Sequence, residues 1–192
     1  MIGWELLAAC APNVAPTTLQ AIIQVESGGN PLAIHVNGGP APRAAADAAD
    51  AARLARAAIQ AGYSVDLGLM QVNSSNLTPL GYTIDAIFEP CTNIRAGAAI
   101  LTASYSLAAQ RHGEGQGALQ AALSAYNTGN FQGGFRNGYV AKYYGPKALR
   151  LATRSQSAAR PMPPAGQGPS PYAADTIVLL NQEGVSHAPT PP

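Results

Sequence analysis

Apolar positions along this chain recur with a helical period in several blocks and with a strand-like run in only one. Within residues 16–27, Leu19, Ile22 and Ile23 stand at i, i+3 and i+4, and Pro16 suits a first helical turn. Gly28-Gly29 and then Pro31 stop that helix. Residues 31–36 read as extended, closing in a turn at Asn37-Gly38-Gly39-Pro40. Residues 44–61 predict an alanine-rich helix in which Asp50 and Arg53 are spaced to pair at i, i+3. Residues 64–72 make the best strand, with the extended segment near Ile34 as its partner in a small hairpin-like sheet. A helix over 93–109 carries Ile94, Ala98, Leu101 and Tyr105 on one stripe, and Gly113, Gly115 and Gly117 break it. Another over 116–126 aligns Leu119, Leu123 and Tyr126. Residues 137–144 form a short helical piece, which Gly145-Pro146 stops before a further piece at 147–153. The pattern predicts an α+β chain, mostly helical, with a small hairpin or sheet beside the helices.

Composition sharpens that picture. Apolar residues make up 47% of the chain and aromatics only 6%, much of the remainder being alanine, which favours closely packed helices over a sheet-rich sandwich. After about Ser155 the character changes. Half of the sixteen prolines lie in 161–192, beside a single apolar cluster, Ile177–Leu180. The expected organisation is a domain over 1–154 followed by a flexible Pro/Ala/Gly-rich tail over 155–192. Charged residues are 11% and the formal net charge is +1, with no basic block able to neutralise many phosphates. Nucleic acid is therefore excluded as a partner. No apolar run approaches the roughly 20 residues that span a bilayer, so no transmembrane segment is expected.

At the N-terminus, Leu6-Leu7-Ala8-Ala9-Cys10 resembles a lipoprotein processing site. Only nine residues precede that cysteine, however; they include Glu5 and no Lys or Arg. Residues 1–11 read instead as a short apolar helix of the domain, with no conventional signal peptide. Cys10 and Cys91 are too few and too far apart for a structural zinc site. In an oxidising compartment they would form one disulfide; in a reducing one they would be two small core residues. His35, His112 and His187 are scattered without metal-ligand spacing, and the glycines at 113, 115 and 117 follow no strand, as a phosphate loop would require. No metal and no cofactor are expected.

One residue carries chemistry on physical grounds alone. Glu26 lies seven positions after Leu19 and three or four after Ile23 and Ile22. At about 100° per residue its carboxyl falls on the apolar stripe of its own helix. It also stands in the last helical turn, where the macrodipole presents negative partial charge. Both effects disfavour ionisation, and a carboxylic acid that keeps its proton near neutrality is what a general acid needs. An ordinary helix-end carboxylate remains the alternative from position alone.

The surrounding motifs decide between these. Glu26-Ser27-Gly28-Gly29-Asn30-Pro31, Gly68-Leu69-Met70-Gln71-Val72-Asn73, Ala125-Tyr126-Asn127-Thr128-Gly129 and Gly138-Tyr139-Val140 occur in that order, with Cys91-Thr92-Asn93-Ile94 between the second and third. Together they resemble the soluble-lytic-transglycosylase-like domains, related to goose lysozyme. The wide interval between Glu26 and Gly68 is similar to the VirB1-like branch of type IV secretion and conjugation systems. The resemblance spans roughly residues 10–150. It implies a lysozyme-like fold, a peptidoglycan substrate and a periplasmic location.

Residue by residue, the resemblance implies that Glu26 is the only catalytic carboxyl and Ser27 its orienting neighbour. It assigns Met70 and Gln71 to the wall of the glycan cleft, with Leu69 and Met70 more simply read as core. Tyr126 and Asn127 match a helix-end pair facing the acid, and Tyr139 a tyrosine whose hydroxyl approaches it. Ser27, Met70, Gln71, Tyr126, Asn127 and Tyr139 are thus the expected substrate-binding set. The implied reaction cleaves the bond between N-acetylmuramic acid (MurNAc) and N-acetylglucosamine (GlcNAc), leaving a 1,6-anhydro end. Type IV secretion components are possible partners, and a monomer is expected. Two alternatives share these residues: a hydrolytic goose-type muramidase, and a weakly catalytic assembly factor. A hydrolase would want a second carboxyl, and Asp66, two residues before Gly68, is the nearest to a motif.

Overall fold

The computed structural model describes residues 2–144. The boundary expected at 154/155, the helical piece at 147–153 and the tail lie outside them. Seven α-helices and three short strands follow in the order α1 (Trp4–Cys10), α2 (Pro16–Ser27), β1 (Ile34–Asn37), α3 (Ala48–Gln60), β2 (Ser64–Leu67), β3 (Val72–Asn73), α4 (Pro90–His112), α5 (Gln116–Thr128), α6 (Gly133–Arg136) and α7 (Ala141–Tyr144). Single 3-10 turns at Ser74–Asn76 and Ala86–Phe88 link β3 to α4.

α4 is the axis of the fold. Residues on most of its faces are buried, among them Ile94, Ala98, Leu101, Tyr105 and Ala108. A helix apolar around its circumference belongs inside a helical cluster. It is longer than the 93–109 stripe predicts because its start is capped. The Glu89 carboxylate accepts from the Cys91 and Thr92 amides, and Pro90 occupies the first turn. α3 is shorter than predicted because Asp47 caps it, its carboxylate accepting from the Asp50 amide. The expected Asp50–Arg53 pair forms, and Arg43 joins it. Cys10 on α1 and Cys91 in the first turn of α4 are joined as a disulfide, with Cα atoms 5.2 Å apart across 81 positions of sequence. Closing a loop of that length is worth about 4 kcal/mol in the chain-entropy picture.

The sheet is antiparallel in the order β1-β2-β3, with Ile34 opposite Leu67 and Asp66 opposite Asn73. The expected pairing of the Ile34 segment with the following strand is present. The single strand predicted over 64–72 is not: it breaks at a tight turn, 68–71, and resumes as β3. Gly68 sits at φ +73°, and a Cβ there would lie 2.2 Å from the Asn93 amide nitrogen. Asn93, only 1% exposed, supplies the bonds that a continuing ladder would have made. Its amide donates to the Leu67 and Ile87 carbonyls (both 2.9 Å), and its Oδ1 accepts from the Met70 amide at 2.8 Å. A buried backbone group left without a partner costs about 1–3 kcal/mol, so this side chain makes the turn affordable. Of the piece predicted over 137–144 only α7, from Ala141, is helical, because Gly138 turns the chain ahead of it; α6, Gly133–Arg136, was not predicted.

Candidate active site

A cleft of about 1030 Å³ runs between the sheet and the ends of α2 and α5. Glu26, Asp66, Gln71, Asn73, Tyr126, Asn127 and Tyr139 are among its lining residues. α2 delivers Glu26 as its stripe predicts: Leu19, Ile22 and Ile23 are buried, and the carboxyl on the same face is half-buried in the cleft wall. Its pKa is raised from 4.5 to about 7. Burial is the largest cause, opposed by a hydrogen bond from Tyr139; Asp66 adds a smaller upward push and Lys142 a smaller downward one. Loss of hydration thus outweighs a donor aimed at the carboxylate.

Tyr139, 4% exposed, donates its hydroxyl to Glu26 Oε1 and lies 2.7 Å from the Tyr143 hydroxyl. Burial pushes the Tyr139 and Tyr143 phenols well above their usual range, and the nearby Glu26 charge adds to it. Both therefore serve as hydrogen-bonding neutral groups at any physiological pH. The Tyr126 phenol is raised in the same way, and its hydroxyl donates to the Met70 carbonyl at 2.7 Å. Tyr126 lines the cleft while pinning the 68–71 turn to α5.

Gln71 is presented by strained backbone. Its φ is +48°, a left-handed conformation held by a 3.2 Å bond from its own amide to the Gly68 carbonyl. Its side-chain amide donates to the Gly68 and Ala33 carbonyls at 2.9 and 3.3 Å. Asn127 is exposed at the end of α5, where its Oδ1 accepts from Asn137 at 2.9 Å.

Two residues of the expected substrate-binding set stand elsewhere. The Met70 side chain is fully buried, against α4. The close approach needs Gly97, where a Cβ would come within 2.7 Å of the Met70 sulfur. Its alternative reading as core is the correct one, because the turn at 68–71 directs the side chain inward. Ser27 does not line the cleft. Its hydroxyl donates to the Leu69 carbonyl at 2.7 Å, with the Ile23 carbonyl 3.1 Å away, and accepts from the Gly29 amide at 3.2 Å. It ties the end of α2 to the turn, so it contributes to the site through position.

Two groups near Glu26, Lys142 and Tyr143, were given no role by the sequence, and Asp66 only that of a hydrolase's second carboxyl. Asp66 lines the cleft with both oxygens engaged: Oδ2 accepts from the Asn37 amide at 2.9 Å and Oδ1 from the Asn73 amide at 2.6 Å. Cross-strand pairing places these three together, which no local pattern reveals. Lys142 lies over the Tyr139 ring, 5.4 Å from its centroid. Tyr143 had a legible signal, since it stands at i+4 from Tyr139. Among the described residues no cluster of side chains is set to hold a metal ion, and no helix is long and apolar enough to cross a membrane.

A mostly helical cluster, a small antiparallel sheet, and a proton-holding carboxyl in the cleft between them define a lysozyme-like domain. The transglycosylase SLT domain family matches residues 5–144, and the chain belongs to that family. It is similar to "Protein virB1" of Agrobacterium fabrum, 44% identical over 133 residues, covering 69% of this chain and 54% of that protein. It is likewise 44% identical over 138 residues to the "Type IV secretion system protein virB1" of Brucella abortus, covering 71% of this chain and 58% of that protein. The chain spans about half the length of the curated relatives it matches. No solved structure matches it.

Proposed function

We propose that this chain is a lytic transglycosylase that cleaves the MurNAc–GlcNAc bond of peptidoglycan, with Glu26 as its single acid and base. The observation that carries the reading is a half-buried carboxyl with a pKa near 7 in the wall of a long polar cleft. Holding its proton into the neutral range, Glu26 can give that proton to the bridging oxygen as the C1–O bond breaks. The carboxylate left behind then takes the proton of the MurNAc C6 hydroxyl, whose oxygen closes onto C1. One C–O bond breaks, one forms, no water is consumed, and a 1,6-anhydro end results. The nucleophile belongs to the substrate, so its proximity is built into the sugar ring. Tyr139 steadies the carboxylate between the two transfers, and Gln71, Tyr126 and Asn127 present polar groups to the glycan.

The name of the Brucella abortus relative, a type IV secretion system protein, supports a role in such an apparatus, where local opening of the wall would be needed. The disulfide supports an oxidising compartment, and with this substrate that compartment is the periplasm. The proposed working form is a monomer.

Asp66 favours a second reading, hydrolysis with that carboxylate activating water. Its engagement by two amides argues against it, because both oxygens already accept hydrogen bonds. Product analysis on purified peptidoglycan, wild type beside Glu26→Gln, separates the readings. Anhydro ends from the wild type alone are expected. Reducing ends would replace this reading with hydrolysis, and equal release by Glu26→Gln would remove Glu26 from the chemistry.

A further inference from the structure

Tyr139 and Tyr143 face each other across one turn of chain at the entry to α7. Their ring centroids are 5.3 Å apart at an interplanar angle of 64°, edge toward face. Each phenol owns a single hydrogen. The Tyr139 hydrogen goes to Glu26 Oε1. In the 2.7 Å contact between the hydroxyls the Tyr139 oxygen is therefore the acceptor and Tyr143 the donor. A phenolic hydrogen prefers the plane of its ring and has two such orientations. A donor already occupying one side of the Tyr139 oxygen leaves its hydrogen the other side, toward the acid.

We propose that Tyr143 is a positioning residue for the acid: by donating to the Tyr139 oxygen it commits the Tyr139 hydrogen to Glu26. The inference rests on Glu26 being the acid and deepens that reading. Hydrogen bonds in a chain polarise one another, so a donor entering Tyr139 strengthens the bond Tyr139 makes to the carboxylate. The gain is largest when Glu26 is ionised, because bonds to a charged acceptor are roughly twice as strong as neutral ones. Tyr143 thus acts selectively on the state that follows proton donation, in which the carboxylate must collect the C6 hydroxyl proton.

Other groups face Glu26 as well: Asp66 from β2, Lys142 from α7, and the Tyr126 hydroxyl from α5, with His35 of β1 lining the same cleft. The test must separate Tyr143 from these. Full-length protein labelled at the glutamate side-chain carboxyl carbons is titrated by NMR, with Glu26→Gln identifying the Glu26 signal. Tyr143→Phe keeps the ring and removes the hydroxyl, so the Glu26 midpoint should move further upward. Tyr139→Phe should move it more. The double variant should match Tyr139→Phe alone, since Tyr143 acts only through that oxygen. The shift should persist at high salt, where the contribution of exposed Lys142 is screened. On a soluble peptidoglycan fragment kcat should fall roughly three- to ten-fold in Tyr143→Phe, as expected for one hydrogen bond, with KM unchanged. Tyr143→Met gives a second hydroxyl-free variant should the first fold poorly.

A Glu26 midpoint that neither Tyr143 variant moves overturns the inference, as does a double variant whose effects add. A wild-type Glu26 titrating in the ordinary carboxylate range would instead remove the acid reading itself, so the two failures are distinct.

Discussion

Two carboxyl groups line one cleft, and their surroundings differ in kind. Glu26 comes off the apolar stripe of a helix, backed by Ile22 and Ile23, and meets phenol hydroxyls that stay neutral. Asp66 comes off a strand beside the amides of Asn37 and Asn73, each of which donates to one of its oxygens. Desolvation outweighs both the Tyr139 hydrogen bond and the Lys142 charge, and leaves Glu26 holding its proton to about pH 7. The amide pair gives Asp66 the donors that a carboxylate wants. The same functional group is thereby suited to proton transfer on one wall and to holding strands in register on the other. Environment, more than residue type, assigns the role.

The comparison is most directly broken at Glu26. Glu26→Gln keeps the shape and the Tyr139 contact but has no proton to give, and should lower the rate of anhydro-muropeptide release by about 10²- to 10⁴-fold. Equal loss in Asp66→Asn would erase the distinction between the walls.

The next largest effect is on stability. A carboxyl whose folded pKa lies above its unfolded value favours the fold below pH 4.5 and loses that contribution as pH rises to about 7. At full shift this amounts to about 3 kcal/mol. Glu26→Gln should therefore gain stability over the wild type at pH 8 and show little gain at pH 4, read by urea denaturation at both values. A gain independent of pH would mean that the wild-type carboxyl is not desolvated.

Asp66→Asn should leave turnover within several-fold and keep the anhydro product. Because the Asp66 charge raises the Glu26 pKa, its removal should move the alkaline limb of the pH–rate profile downward from about 7. A limb that moves upward would contradict the electrostatic sign. Asn73→Ala should have the smallest effect: it frees one Asp66 oxygen and loosens the β2–β3 pairing, lowering the melting temperature slightly while Glu26 titrates nearly as before.

Much of the fold is legible along the chain because it is periodic. Leu19, Ile22 and Ile23 announce α2 and the direction of Glu26, and Ile94 and Leu101 announce α4. The pairing of β1 with β2 follows from two extended runs bounded by turn residues. The family motifs name Gln71, Tyr126, Asn127 and Tyr139, all of which line the cleft. Met70 shows the limit of such naming. It stands in the motif, yet its side chain fills the gap over Gly97, because a turn and not a strand carries it.

What the sequence by itself determined was local: helical stripes, their stops, and the apolar backing that disfavours charge at position 26. These depend on neighbours within a turn or two, so spacing encodes them. The tertiary structure alone decided that Asn93 replaces a broken ladder and that Asp66 lies between two amides. Those contacts join distant segments through single side chains, and a hydrogen bond of that kind leaves no period along the chain to be read.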